Sequence, residues 1–199
     1  MRAATRRERV PGPAGIIECA VDAPQEGGAP RGAALIAHPH PQFGGTLDNK
    51  VVQTLARAFI ELGYEAWRPN FRGIGASEGS YDQGVGEVED LLAIYDQIVL
   101  KPIVLAGFSF GAVMQARLAQ RVSAERLVLV GVAVGSFEVP SVPRGSLVIH
   151  GELDDTIPLS AVLDWARPQE LPVLVVPGAE HFFHRKLHVL RAAVAGDWQ

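Results

Sequence analysis

Cysteine is almost missing from this sequence of 199 residues: Cys19 stands alone, so no internal disulfide staples the fold. Its place in a strand-like run makes it a small buried apolar side chain rather than a nucleophile. An excess of positive charge is lacking too. Eighteen Lys and Arg against 22 Asp and Glu give a formal net charge of −4, with no basic patch suited to nucleic acid. The longest apolar runs are too short to cross a bilayer, so no membrane span is expected. The basic stretch 1–9 runs into Val10-Pro11-Gly12-Pro13, where a secretion signal needs apolar residues, and a cytoplasmic protein is expected. Internal repeats, low-complexity tracts and long linkers are absent as well. With 48% hydrophobic residues, the chain 1–199 fits one domain with a substantial core.

What the sequence does contain is a series of short apolar runs alternating with segments of helical period. Residues 1–31 read as an edge hairpin around Pro11-Gly12-Pro13, followed by a loose Gly/Pro loop. Strands are expected at 33–37, 65–70, 103–108, 127–134, 146–150 and 173–176. Asn49 caps a helix over 50–62 that Gly63 ends. Further helices are expected over 87–99, from the turn at Ser109 to about Val122, over 159–166, and from Phe183 to about Ala195. Glu87, Glu89 and Asp90 fall in the first turn of the second helix, where they favour its dipole. Strands apolar on both faces, alternating with helices, describe a mostly parallel, doubly wound α/β sheet covered on both sides.

Within this pattern, Val104-Leu105-Ala106-Gly107-Phe108-Ser109-Phe110-Gly111 stands out. An apolar strand runs into Gly-x-Ser-x-Gly and then into a helical pattern, so Ser109 is expected on a sharp strand-to-helix turn. A side chain at Gly107 or Gly111 would collide with the neighbouring backbones. The chain carries its own control. Gly75-Ala76-Ser77-Glu78-Gly79 matches the same pattern, but a loop follows it rather than a helix, so Ser77 fails the test of context.

In such sheets functional groups gather on loops at the carboxyl ends of strands. The loop His150-Gly151-Glu152-Leu153-Asp154-Asp155 follows one expected strand, and Pro177-Gly178-Ala179-Glu180-His181 follows another. A serine hydroxyl is a poor nucleophile until an imidazole takes its proton, and a carboxylate then fixes that imidazole. Ser109 is therefore read as nucleophile, His181 as general base and then acid, and Asp154 as the orienting carboxylate. Asp155 is the rival of Asp154; His184 and His188 are weaker rivals of His181, because both fall within the closing helix. Two amides should hold the oxyanion. The amide of Phe110 is one, and the loop 38–45 should supply the other. Pro39 and Pro41 have no N–H, which favours Gln42. His38 and His40, two apart in an extended segment, point the same way and could grip zinc, but a hydrolytic site needs a further ligand that the nearby loop lacks. No metal or other cofactor is expected, and His40 is read as shaping the oxyanion loop or substrate entrance.

Taken together, His38-Pro39-His40-Pro41 with Gly44-Gly45, the stretch 70–79, Gly84-Val85-Gly86-Glu87, Gly107-Phe108-Ser109-Phe110-Gly111-Ala112, His150-Gly151-Glu152 with Asp154, and His181-Phe182-Phe183-His184 resemble the small bacterial α/β-hydrolases. Among them the chain is similar to the lidless, dienelactone-hydrolase-like or carboxylesterase group, from about Gly32 to the C-terminus. The resemblance implies an α/β-hydrolase fold and an esterase-type serine hydrolase with Ser109, Asp154 and His181 as its triad. The cysteine nucleophile of true dienelactone hydrolases is replaced here by Ser109, which argues against that reaction. Only 135–145 separates the apolar run ending at Val134 from the next, and no helical lid fits that gap. An open, shallow site suits short acyl groups, or a substrate presented by a larger partner, better than long buried lipid chains. Phe43, Phe110, Phe137, Phe182 and Phe183 are candidates for its apolar wall, with His40, Phe43 and Phe182 as substrate-binding residues. A thioesterase, small peptidase or acyltransferase would use the same triad, and a non-catalytic binding protein would keep the fold without it. A monomer or homodimer acting on a small ester or acyl substrate is expected.

Overall fold

The strands are β1 (Thr5–Gly12), β2 (Gly15–Asp22), β3 (Gly32–Ala37), β4 (Tyr64–Pro69), β5 (Ile103–Phe108), β6 (Arg126–Val130), β7 (Leu147–Gly151) and β8 (Val173–Val176). In this computed structural model, which describes residues 5–24 and 29–198, they form one eight-stranded sheet in the order β1-β2-β4-β3-β5-β6-β7-β8. The expected basic N-terminal stretch lies outside the described residues at 1–4, and the expected Gly/Pro loop does so at 25–28. β1 and β2 pair antiparallel across a tight turn in which Gly12 faces Gly15, and β2 runs antiparallel to β4. From β4 onward every pairing is parallel.

The helices are α1 (Lys50–Glu61), α2 (Val85–Gln97), α3 (Phe110–Leu118), α4 (Leu159–Ala166) and α5 (Leu187–Gly196). Side chains alternate across a strand, so neighbouring residues of the central strands serve opposite cores. Leu35, Leu105 and Leu129 pack with Leu91 and Ile94 of α2, Val113 of α3 and Val162 of α4. Ile36, Val104, Phe108 and Val130 pack with Val52, Leu55 and Phe59 of α1 and with Leu190 and Val194 of α5. Because β3 and β5 are buried along their whole length, they read as unbroken apolar runs. No helix among the described residues is long and apolar enough to cross a membrane.

Several boundaries differ from the sequence pattern, and at β6 and α5 the reason is local. β6 ends at Val130 because Gly131 turns the chain with φ +52°. The apolar residues that follow, Val132 and Ala133, stay buried without joining the sheet ladder. α3 stops at Leu118 rather than near Val122. α5 starts at Leu187 rather than Phe183, since Phe183 and Arg185 take positive φ values of 55° and 60° that a helix does not admit. His184 therefore sits in a turn outside the helix, while His188 lies within it.

α2 starts at Val85, so of its expected first-turn acids only Glu87 lies there, and all three have particular partners. Buried Glu87 accepts from the amides of Asp82 and Gly84 at 2.8 and 2.7 Å. Asp90 accepts from Arg72 through both oxygens at 2.7 Å, and Glu89 pairs with Arg121. Residues 131–146, between β6 and β7, form turns and extended chain without a helix.

Candidate active site

β5 aims the serine. At its end Ser109 adopts φ 55° and ψ −116°, a conformation costly for a residue with a Cβ, and α3 starts at the next residue. The turn closes only because glycine stands on both sides. A Cβ on Gly107 would lie 2.3 Å from the Gly111 carbonyl oxygen, and one on Gly111 would lie 2.3 Å from that of Ala37. The amide of Ser109 donates to Val130 at 2.9 Å, tying the turn to β6.

The loops after β7 and β8 bring two further side chains to that hydroxyl. His181 Nε2 is 3.1 Å from Ser109 Oγ, and His181 Nδ1 is 2.7 Å from Asp154 Oδ2. A carboxylate only accepts, so Nδ1 carries the proton and Nε2 presents its lone pair to the serine. Asp154 Oδ1 accepts from the amides of Thr156 and Ile157 at 3.0 and 2.7 Å. Burial by itself would raise the Asp154 carboxyl, but hydrogen bonds from His181 and the Ile157 amide outweigh it and hold the group below its ordinary value. Asp154 and His181 are nearly buried, and Ser109 is 9% exposed. Asp155 is exposed and, among the described residues, its side chain accepts a hydrogen bond only from Thr156; His184 pairs with Glu180 at 3.0 Å. Neither joins the line from serine to carboxylate.

The loop after β3 differs from its expected use. The Gln42 amide is engaged with His40 Nδ1 at 3.2 Å, and those of Phe43 and Gly45 donate to the His40 carbonyl at 3.1 and 3.0 Å. The amide of His40 has no protein acceptor among the described residues. Its direction is fixed from behind: fully buried His38 donates from Nδ1 to the Pro39 carbonyl at 2.6 Å, and a trans peptide points the next N–H the opposite way. The other nitrogen of His38 accepts the Phe71 amide at 3.0 Å. Both His38 nitrogens thus have protein partners, and burial pushes its pKa down to about 4. This role of His38 was not visible in the sequence, because its partner Phe71 lies on another loop.

Around His40 stand Phe43, Tyr81 and Phe110, with ring centroids 4.7, 5.0 and 4.9 Å away. Phe43 is 85% exposed and Phe110 buried, while Phe137 packs half-buried against Phe110 at 5.2 Å. Phe182, 42% exposed, meets the His181 ring edge-on at 5.1 Å. Phe183 is fully buried in the core beneath α1 and α5 and lines no surface.

A serine on a glycine-flanked turn between a buried parallel strand and a helix, with no lid between the next two strands, defines the lidless α/β-hydrolase class. Residues 34–195 match the alpha/beta hydrolase family model, and the chain belongs to that family. It is similar to a Xanthomonas campestris protein described as an α/β serine hydrolase without lid, at 36% identity over 99% of this chain and 94% of that one, with a TM-score of 0.90. An α/β serine hydrolase homologue from Coxiella burnetii is also 36% identical, over 98% of this chain and 97% of that one, with a TM-score of 0.87. An uncharacterized Rickettsia prowazekii protein is 30% identical over 92% of this chain and 84% of its own length.

Proposed function

We propose that this hydrolase cleaves carboxylic esters of small or short-acyl substrates through an acyl-enzyme on Ser109. The observation that carries the reading is the continuous line from Ser109 Oγ to His181 Nε2, and from His181 Nδ1 to Asp154, at 3.1 and 2.7 Å. His181 Nε2 takes the hydroxyl proton as Oγ bonds to the ester carbonyl carbon, and Asp154 stabilises the imidazolium that forms. The negative oxygen of the tetrahedral intermediate accepts from the Phe110 amide, which begins α3 and has no acceptor within the helix. The second donor in this reading is the free amide of His40, in place of Gln42. When the C–O bond breaks, the alcohol leaves with the proton from Nε2. Water then repeats the sequence and frees the acid.

The helix-free passage from β6 to β7 and the exposed rings of Phe43 and Phe182 support short acyl groups at an open surface rather than long buried chains. Labelling with a fluorophosphonate, followed by mass spectrometry and a panel of p-nitrophenyl esters, tests the reading. An adduct on Ser109 and fastest turnover of short acyl chains are expected. Folded protein that takes up no label would remove the serine mechanism.

A further inference from the structure

β7 delivers a second imidazole to Asp154, and the scheme above gives it no part. His150 is fully buried, with Nε2 at 2.9 Å from the Ile157 carbonyl oxygen and 3.4 Å from Asp154 Oδ2. A carbonyl only accepts, so Nε2 carries the proton. The other nitrogen, Nδ1, is buried and has no hydrogen-bond partner among the described residues.

Ile157 links the two side chains. Its N–H donates to Asp154 Oδ1 at 2.7 Å, and its carbonyl accepts from His150. The residue that holds the carboxylate is itself held by the histidine. With Oδ1 bound to the amides of Thr156 and Ile157, Oδ2 remains for His181 at 2.7 Å. We propose that His150 is a positioning residue: it anchors the loop 151–157 through Ile157, so that Asp154 presents Oδ2 to His181, and does so as a neutral donor.

Neutrality matters because a cation 3.4 Å from Oδ2 would compete with the His181 imidazolium for the same charge. The unpartnered Nδ1 opposes that cation, since a proton there would find no acceptor. Burial likewise lowers the His150 pKa from its ordinary value, against the pull of the Ile157 carbonyl and of Asp154. The titratable groups facing His150 are Asp154, from the loop that follows β7, and His181, from the loop between β8 and α5.

The inference rests on the proposed triad and is tested apart from it. His150→Phe keeps a ring and removes the donor, while His150→Gln returns an amide N–H near the position of Nε2. With p-nitrophenyl acetate, the Phe variant is expected to lose kcat on the order of 10²-fold with KM nearly unchanged, as a small misplacement of a catalytic group does. The acid limb of its kcat/KM profile should move to lower pH, because a loosened Asp154 supports the imidazolium less. The Gln variant should recover most of the loss. Where the Phe variant does not fold, His150→Asn, too short to reach Ile157, should show the same loss. Folded Phe or Asn variants with unchanged kcat, or a Gln variant as impaired as they are, would overturn the positioning role. Fluorophosphonate labelling of the unsubstituted protein separates this failure from the other: a labelled Ser109 leaves the serine mechanism standing whatever the His150 variants do.

Discussion

The same five-residue pattern occurs twice in this chain, at 75–79 and 107–111, and folds in two different ways. Ser77 is nearly buried in a loop. Its hydroxyl donates to the Asn70 carbonyl at 2.8 Å and accepts from the Glu18 amide at 2.9 Å. Both roles of that oxygen are filled by backbone, and its proton is committed. Ser109 sits at positive φ with its hydroxyl facing an imidazole lone pair, which can remove the proton. The glycines differ as well. A Cβ on Gly107 or Gly111 would strike backbone carbonyls, whereas one on Gly75 would strike the ends of the Asn70 and Glu18 side chains. What separates the proposed nucleophile from the structural serine is what precedes, follows and faces it.

Substitutions at the serines should break the comparison most sharply. Ser109→Ala is expected to lower kcat on the order of 10⁶-fold, while Ser77→Ala keeps turnover in whatever fraction stays folded; p-nitrophenyl acetate hydrolysis reads both. Next comes the carboxylate. Asp154→Asn should cost about 10⁴ in kcat, because the amide favours the wrong tautomer of His181, and Asp155→Asn should cost almost nothing. An inverted result would move the triad by one residue. Gly107→Ala should destabilise by more than about 3 kcal/mol in urea titration, since rigid backbone must shift, against less for Gly145→Ala, where nothing lies within 4 Å.

His38 couples the loop after β3 to the loop that carries Ser77, and it gives the comparison a dependence on pH. Unfolded, it titrates near 6.5; folded, at about 4. Between those values the unfolded chain binds a proton that the folded chain does not. Stability therefore falls as pH drops from about 6.5 to about 4, by about 3 kcal/mol in total. Denaturation midpoints across that range should lose part of this slope in His38→Gln. The effect of Ser77→Ala on stability should be about 1–3 kcal/mol, read by urea titration, for a buried donor and acceptor left without their partner.

The sequence made the layered fold legible because buried parallel strands leave long apolar runs, as at 103–108. It also made Ser109, Asp154 and His181 stand out, because each sits just past such a run, in an order that means something chemically. The rest depended on relations between distant residues. Whether His40 or Gln42 offers a free amide turns on the direction of one peptide plane, set by His38 and Phe71. The place of His150 turns on the Ile157 carbonyl, whose direction no local pattern announces. Phe183 looked like a companion of Phe182, yet its positive φ sends it into the core.

The short, helix-free connection between β6 and β7 also bears on what an acyl group on Ser109 would meet. Residues 131–146 hold no helix that could close over the site, and with the proposed acyl-enzyme open to solvent the product ratio should follow the concentrations and intrinsic reactivities of the small nucleophiles present. Methanol added to an esterase assay should divert acyl groups into methyl esters in proportion to its amount. Transesterification would then be a property of the solvent mixture, and tuning the medium would change the product without changing a residue.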